Sequence, residues 1–279
     1  TDDDATPSVT LSANNVPSIK ESGTGNSTPI IAILSAPAGR DVIVPLAMSG
    51  GARENEDYTL SNTITIPALQ SQMSVSFTAI DDETDEVNET MTVDIVSPVT
   101  NGTELGLQQQ SVAILDDDLP PTVTLSVGGP SIVETGGQTT VTAILRVPSS
   151  FDVIVSLQPA GTAVAADYSL PGKITVPAGA PSKSVTLVSL HDVLEEDDET
   201  VIVSILDIAN GRELDVQEQT VTIIDDDPLP TVSLSIDTTV LNETNPGNDT
   251  HRTTIRATLD ALSGRHVTVK LQKSGVATD

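Results

Sequence analysis

Three consecutive aspartates occur three times in this sequence, as Asp2-Asp3-Asp4, Asp116-Asp117-Asp118 and Asp225-Asp226-Asp227. Further acidic residues gather at matching places between the runs. Glu21, then Glu54, Glu56 and Asp57, then the stretch Asp81-Asp82-Glu83-Thr84-Asp85-Glu86-Val87-Asn88-Glu89, precede the second run. Glu134, Asp167, Asp192 and Glu195-Glu196-Asp197-Asp198-Glu199 precede the third. Carboxylates this dense repel one another. Two unit charges about 4 Å apart at an effective dielectric of about 20 cost about 4 kcal/mol, a large share of the ~5–15 kcal/mol that holds a domain together. A chain that rebuilds the same crowd in successive segments is expected to hold a cation there.

The donor set narrows which cation. Ca²⁺ takes ~6–8 oxygens at ~2.3–2.6 Å and tolerates irregular loop geometry, whereas Mg²⁺ demands an octahedron and keeps its waters. Zn²⁺ is disfavoured, since His191, His251 and His266 are scattered and there is no cysteine. The plain alternative is a set of solvated acidic loops, or the acidic surface of a salt-adapted protein; recurrence of the whole pattern weighs against it. A Ser–His–Asp triad and a paired-carboxylate glycosidase fit poorly, because the histidines share no neighbourhood and the carboxylates crowd in groups. The chain is not expected to be an enzyme. Asn26, Asn88, Asn101, Asn242 and Asn248 begin Asn-x-Ser/Thr sequons, most of which chance supplies in a chain so rich in Ser and Thr.

Composition excludes other classes. The 279 residues carry 40 acidic and 12 basic side chains, a formal charge of −28. Nucleic acid and anionic membrane surfaces need a basic patch, so neither is an expected partner. No apolar run nears the roughly 18 residues of a membrane-spanning helix, so no membrane insertion is expected of this segment. Aromatic residues are limited to Phe77, Phe151, Tyr58 and Tyr168, which leaves no stacking platform for sugar or single-stranded nucleic acid. With Thr1 at its start, the sequence is expected to be a processed chain or a piece of a longer one.

The elements that must position the carboxylates come from an internal repeat. Asp57-Tyr58 returns as Asp167-Tyr168, Ile64-Thr65-Ile66-Pro67-Ala68 as Ile174-Thr175-Val176-Pro177-Ala178, and Glu89-Thr90 as Glu199-Thr200. Arg40-Asp41-Val42 aligns with Phe151-Asp152-Val153 and with Arg265-His266-Val267, and Glu21 with Glu134 and Glu243. A period of about 110 residues is domain-sized. The aspartate runs mark the boundaries: the end of a preceding repeat at 1–4, repeats at 5–118 and 119–227, and the first half of a third at 228–279, completed by continuation of the chain, the favoured expectation, or by another chain. The linkers Leu119-Pro120-Pro121 and Pro228-Leu229-Pro230 are short and stiffened by proline. In the second repeat, β-branched alternation predicts strands over 122–127, 139–146, 152–157, 172–176, 182–190, 199–206 and 217–224, separated by Gly, Pro and Asn turns. No window has a helical period. The expected fold is all-β, a tandem of immunoglobulin-like antiparallel β-sandwiches with the third incomplete. In such a sandwich the loop between the fifth and sixth strands meets the last strand's end at one pole, which brings the acidic segments together.

The sequence resembles a tandem of Calx-beta domains, a family first known from sodium/calcium exchanger regulatory regions and common in large extracellular adhesins. The resemblance is carried by the Glu of Ser18-Ile19-Lys20-Glu21 and Ser131-Ile132-Val133-Glu134, the Asp-Tyr pairs, the Asp82-x-x-x-Glu86-x-x-Glu89 and Asp192-x-x-x-Glu196-x-x-Glu199 patterns, and the closing Asp triplets. It implies Ca²⁺ held in repeat one by Glu21, Asp57, Asp82, Glu86, Glu89, Asp116, Asp117 and Asp118. In repeat two it implies Glu134, Asp167, Asp192, Glu196, Glu199, Asp225, Asp226 and Asp227. His191 stands where repeat one has Asp81, which lowers the charge of the second site. The implied role is a calcium-stiffened structural or adhesive segment of an extracellular or cell-surface stalk, fibre or filament, partnered by further repeats or neighbouring copies. The alternative is a calcium-sensing regulatory module of a membrane transporter.

Overall fold

The computed structural model describes residues 5–241 and 252–275. Asp2, Asp3, Asp4, Asn242, Glu243, Asn248, His251 and Asp279 lie outside the described residues. Within them the regular structure is β throughout, as branching at Cβ in Val, Ile and Thr favours.

In the first repeat the strands are β1 (Ser8–Ser12), β2 (Ser18–Lys20), β3 (Ser27–Leu34), β4 (Val42–Gly50), β5 (Tyr58–Thr59), β6 (Thr63–Ile66), β7 (Gln72–Ala79), β8 (Glu89–Ile95), β9 (Thr103–Glu104) and β10 (Gln109–Leu115). They form two sheets, ordered β5-β7-β3-β1-β9 and β2-β10-β8-β4-β6. The second repeat has β11 (Thr122–Val127), β12 (Ser131–Val133), β13 (Gln138–Leu145), β14 (Val153–Gly161), β15 (Tyr168–Ser169), β16 (Lys173–Val176), β17 (Ser182–Ser189), β18 (Glu199–Ala209), β19 (Arg212–Glu213) and β20 (Glu218–Ile224). Its sheets repeat the pattern, β15-β17-β13-β11-β19 and β12-β20-β18-β14-β16. All seven strands predicted from alternation are there. The additional β12, β15 and β19 are 2–3 residues long, too short to carry a period.

The inward faces are aliphatic. Val9, Ile30, Ala32, Val44, Val93 and Val112 are fully buried in repeat one, as are Val123, Val141, Val155 and Val203 in repeat two. Tyr58, on the short edge strand β5, is buried against Phe77 with ring centroids 5.2 Å apart and planes at 57°. This tilted arrangement suits the ring quadrupoles.

After the third aspartate run, β21 (Val232–Ile236) pairs antiparallel with β22 (Ile255–Leu259), Val232 opposite Leu259 and Ile236 opposite Ile255. Leu234 is 56% exposed, while Leu11, the residue at its place in β1, is 6% exposed. Val232, Ile236 and Ile255 are likewise exposed, so the apolar side chains of this pair are open to solvent among the described residues.

The chain divides into two compact units. One comprises Thr1–Thr122, Arg146–Val153 and Pro177–Pro181; the other comprises Val123–Leu145, Ile154–Val176 and Ser182–Asp279.

Two equivalent glycines end β4 and β14. Gly50 and Gly161 have φ of +121° and +118°. A Cβ at Gly50 would stand 2.0 Å from the Thr90 carbonyl oxygen, and one at Gly161 would stand 2.1 Å from that of Thr200. The close approach lets Gly51 and Ala163 donate to those same carbonyls. Gly161→Ala is therefore expected to destabilise the second repeat by about 2 kcal/mol or more, read as a lower urea midpoint, with the first repeat's transition unchanged.

Candidate metal centre

Each acidic side chain reaches its pole through a backbone constraint. β2 runs parallel to β10, with Ile19 opposite Ile114 and Lys20 opposite Leu115. Glu21 N then donates to Leu115 O at 3.0 Å, which sets Glu21 beside the aspartates that leave β10. Glu134 repeats this after β12, donating to Ile224 O at 2.9 Å. Asp57 closes a tight turn: its N donates to Arg53 O at 2.9 Å and its Oδ2 accepts from Arg53 N at 2.6 Å. Its carbonyl accepts from Ile80 N at 2.9 Å, tying that turn to the start of the 81–89 loop. Asp167 does the same in repeat two, with Val164 N on Oδ2 at 2.5 Å and Leu190 N on its carbonyl at 2.8 Å.

The loops are bound back to the aspartates. Glu86 N donates to Asp116 Oδ1 at 3.2 Å, and Asp116 N donates to Asn88 Oδ1 at 3.0 Å. Asp82 N donates to Glu21 Oε1 at 3.3 Å, and Asp192 N to Glu134 Oε1 at 2.9 Å. Asp225 N donates to Asp198 Oδ1 at 3.3 Å. Asp117 Oδ2 accepts from Ser22 Oγ at 2.6 Å, and Asp226 Oδ1 from Thr135 Oγ1 at 2.9 Å.

The result is a set of tight oxygen clusters. Glu21, Asp116 and Asp118 place carboxylate oxygens within 4.8 Å of one another, as do Asp57, Glu86 and Glu89. In repeat two, Glu134, Asp192 and Asp227 form one such group, and Glu134, Asp226 and the His191 ring nitrogen form another. Glu134, Asp167, Glu196, Glu199 and Asp225 line a common cleft, as Glu21, Asp57, Glu86, Glu89 and Asp116 do in repeat one. His191 Nδ1 is 3.8 Å from Glu134 Oε1 and 3.3 Å from Thr135 Oγ1. Asp82 lines a cleft with Asp57, Glu86 and Glu89, whereas Asp117 belongs to none of these oxygen groups and is held instead by Ser22.

Several oxygens have nothing to bond. Glu89 Oε2 and Asp118 Oδ2, and Asp225 Oδ1 and Asp227 Oδ2, are buried without a hydrogen-bond partner. Buried unpaired polar atoms are costly. The charge balance is equally unfavourable. Burial, then the charge of Asp82, pushes Glu21 up to about 7. Burial, then the shared hydrogen bond with Asp57, pushes Glu89 up to about 7; burial and Asp167 do the same to Glu199. Burial likewise raises Glu86, Asp116, Asp118, Glu134 and Glu196.

Sequence reasoning missed the residues that trim these poles. Ser150 Oγ donates to Glu86 Oε1 at 2.9 Å, and Arg265 Nε lies 3.1 Å from Glu195 Oε1. Both come from more than 60 residues along the chain. The only available signal was the alignment of Phe151 with Arg265 just after a serine turn.

A family model of the Calx-beta domain matches residues 2–118 and again 116–227. Among solved structures, CBD12 from CALX1.2 is similar at 14% identity over 77% of this chain and 99% of that one, with a TM-score of 0.35. Calcium binding domain CBD12 of CALX1.1 is similar at 14% identity over 76% and 98%, also at 0.35. A two-domain protein of unknown function from Bacteroides fragilis is similar at 11% identity over 79% and 93%, at 0.32. No curated protein matches the sequence.

A carboxyl whose folded-state pKa stands above its unfolded value holds its proton more tightly in the folded protein. For Glu21, Glu89 and Glu199 that contribution is fully present below pH 4.5 and is lost as the pH rises through about 7. In excess chelator the melting temperature is expected to fall steadily between about pH 5 and about pH 8. A flat or rising profile over that window, followed by circular dichroism, would contradict this account of the poles.

Proposed function

The chain belongs to the Calx-beta family, with two tandem domains at residues 2–118 and 116–227, and from that premise we propose that it is a calcium-binding structural rod segment of an extracellular or cell-surface stalk, fibre or filament. The observation that carries the calcium reading is the set of buried, unpartnered carboxylate oxygens at both poles, Glu89 Oε2, Asp118 Oδ2, Asp225 Oδ1 and Asp227 Oδ2. Oxygen donors alone, many of them carboxylates on loops, suit a hard divalent cation with a high and flexible coordination number. Glu21, Asp57, Asp82, Glu86, Glu89 and Asp116–Asp118 would hold it in the first repeat. Glu134, Asp167, Asp192, Glu196, Glu199 and Asp225–Asp227 would hold it in the second. The ion supplies the positive charge that lets these groups stay ionised together.

The chain's own residues do the rest. The hydrogen bonds from Glu86 N to Asp116 and from Asp116 N to Asn88 couple the order of the 81–89 loop to the run that ends the domain. The two proline-bearing linkers begin directly after these runs, so an ordered pole restrains the start of each linker. Repetition of the same acidic pole along the chain supports a mechanical role, with further repeats or neighbouring copies as partners and no reaction to catalyse. A calcium-sensing regulatory module of a membrane transporter is the second reading, favoured by the family's tandem use of two domains. Among the described residues no helix is long and apolar enough to cross a membrane, a statement that does not bear on strand-built barrels. Protease added outside intact cells distinguishes the two: a surface rod is cut, a cytoplasmic module is spared.

Calcium at about 100 times its dissociation constant is expected to add about 2.7 kcal/mol per site, seen as a higher melting temperature that chelator reverses. Melting that ignores both additions would refute calcium binding. Asp117→Ala is expected to weaken calorimetric calcium binding at the first pole by about tenfold or more while sparing the second. It should also loosen the chain in small-angle scattering at intermediate calcium.

A further inference from the structure

The two acidic loops meet equivalent serine turns. In the first compact unit, Asp85 pairs with Ser149 as an isolated parallel bridge, and Ser150 N donates to Asp85 O at 3.1 Å. Phe151 N donates to Ser149 Oγ at 3.2 Å. In the second unit, Glu195 pairs with Ser263 in the same way, Gly264 N donates to Glu195 O at 2.8 Å, and Arg265 N donates to Ser263 Oγ at 3.1 Å. The fit is close at Gly264, where a Cβ would lie 2.8 Å from Glu196 Cγ and 3.2 Å from Glu195 O.

The turns differ in the residue that follows. Phe151 carries no charge. Arg265 places Nε 3.1 Å from Glu195 Oε1 and 3.0 Å from Asp197 Oδ1, and its guanidinium also donates to the Glu196 carbonyl. Glu195 is buried, with a side chain only 5% exposed, and its other oxygen accepts from Ser263 Oγ at 3.0 Å. A buried carboxylate so paired is held, and one stripped of its partner is strongly unfavourable. The first loop has nothing similar among the described residues. Arg146 lies 3.6 Å from Glu83, but both side chains are about 70% exposed, and such pairs contribute little. Arg53 lines a cleft with Asp82, Glu86 and Glu89, but its ion pair is with exposed Glu56, outside the loop, and both side chains are more than 60% exposed.

We propose that Arg265 is a tethered cation that keeps the second acidic loop, residues 191–199, ordered when metal is withdrawn, so that the two poles differ in their dependence on calcium. The first loop, 81–89, is ordered by metal; the second is ordered in large part by the guanidinium that docks on buried Glu195, the pair with Asp197 contributing little because that side chain is 84% exposed. Neither carboxylate belongs to the proposed ligand set, so the ion pair and a bound cation do not compete for the same oxygens. This inference rests on the calcium reading for the behaviour of the first loop alone.

Hydrogen exchange read by mass spectrometry tests it on the whole chain, wild type and Arg265→Gln, in calcium and in excess chelator. In wild type, chelation is expected to speed exchange over 81–89 about tenfold or more, with a much smaller change over 191–199. Arg265→Gln in chelator is expected to raise exchange over 191–199 to the level of 81–89, with calcium reversing the effect. Adding Glu195→Gln to that variant removes the stranded charge and should recover part of the protection. Equal opening of both loops in chelated wild type, or unchanged 191–199 exchange in Arg265→Gln, would overturn the proposal. Exchange that ignores calcium at both loops would instead refute the calcium reading, and the chelated Arg265→Gln comparison would still decide the role of the arginine.

Discussion

Mutual repulsion of carboxylates at the poles is the constraint on which the rest of this molecule depends. A β-sandwich of aliphatic side chains folds by burying Val, Ile and Leu between two sheets. This one then uses that rigid body to force ionisable groups together. β2 is held parallel to β10, Asp57 is fixed in a turn anchored to Ile80, and the glycines at 50 and 161 admit the close backbone approach beside them. Each device restrains a residue at a place where its charge is unwelcome. Cohesion from the core opposes strain at the pole, where the clustered oxygens could hold a metal ion.

The two poles are alike in plan and unlike in charge. The first has Asp81 where the second has His191, and the second receives Arg265. Both differences make the second pole less negative. They come from separate stretches of chain, one inside the domain and one beyond its last aspartates. Sites built on one template can thus be graded by a few substitutions at their margins without touching the shared carboxylates.

Much of this was legible in the sequence. Strand positions followed from period-two alternation, and β14 and β18 simply run further than the alternation does, the former to Gly161 and the latter to Ala209. The acidic groups were legible because they recur at fixed spacing in a repeat. What escaped were elements of two or three residues. β12 is recognisable only as a Ser-Ile-Val phrase before Glu134, and its parallel pairing with β20 is a long-range fact with no local signature. Arg265 and Ser150 escaped for the same reason. Their partners lie far away in sequence, and nothing about a lone serine or arginine announces which loop it will meet.

The first compact unit does not end at its aspartate run; it also takes in Arg146–Val153 and Pro177–Pro181. That discontinuity gives the first unit an order of assembly. During synthesis all the carboxylates of the first pole have emerged once Asp118 is made, yet the serine turn that caps Glu86 follows some thirty residues later. The first pole can therefore be completed only after the chain beyond its own aspartates has been made.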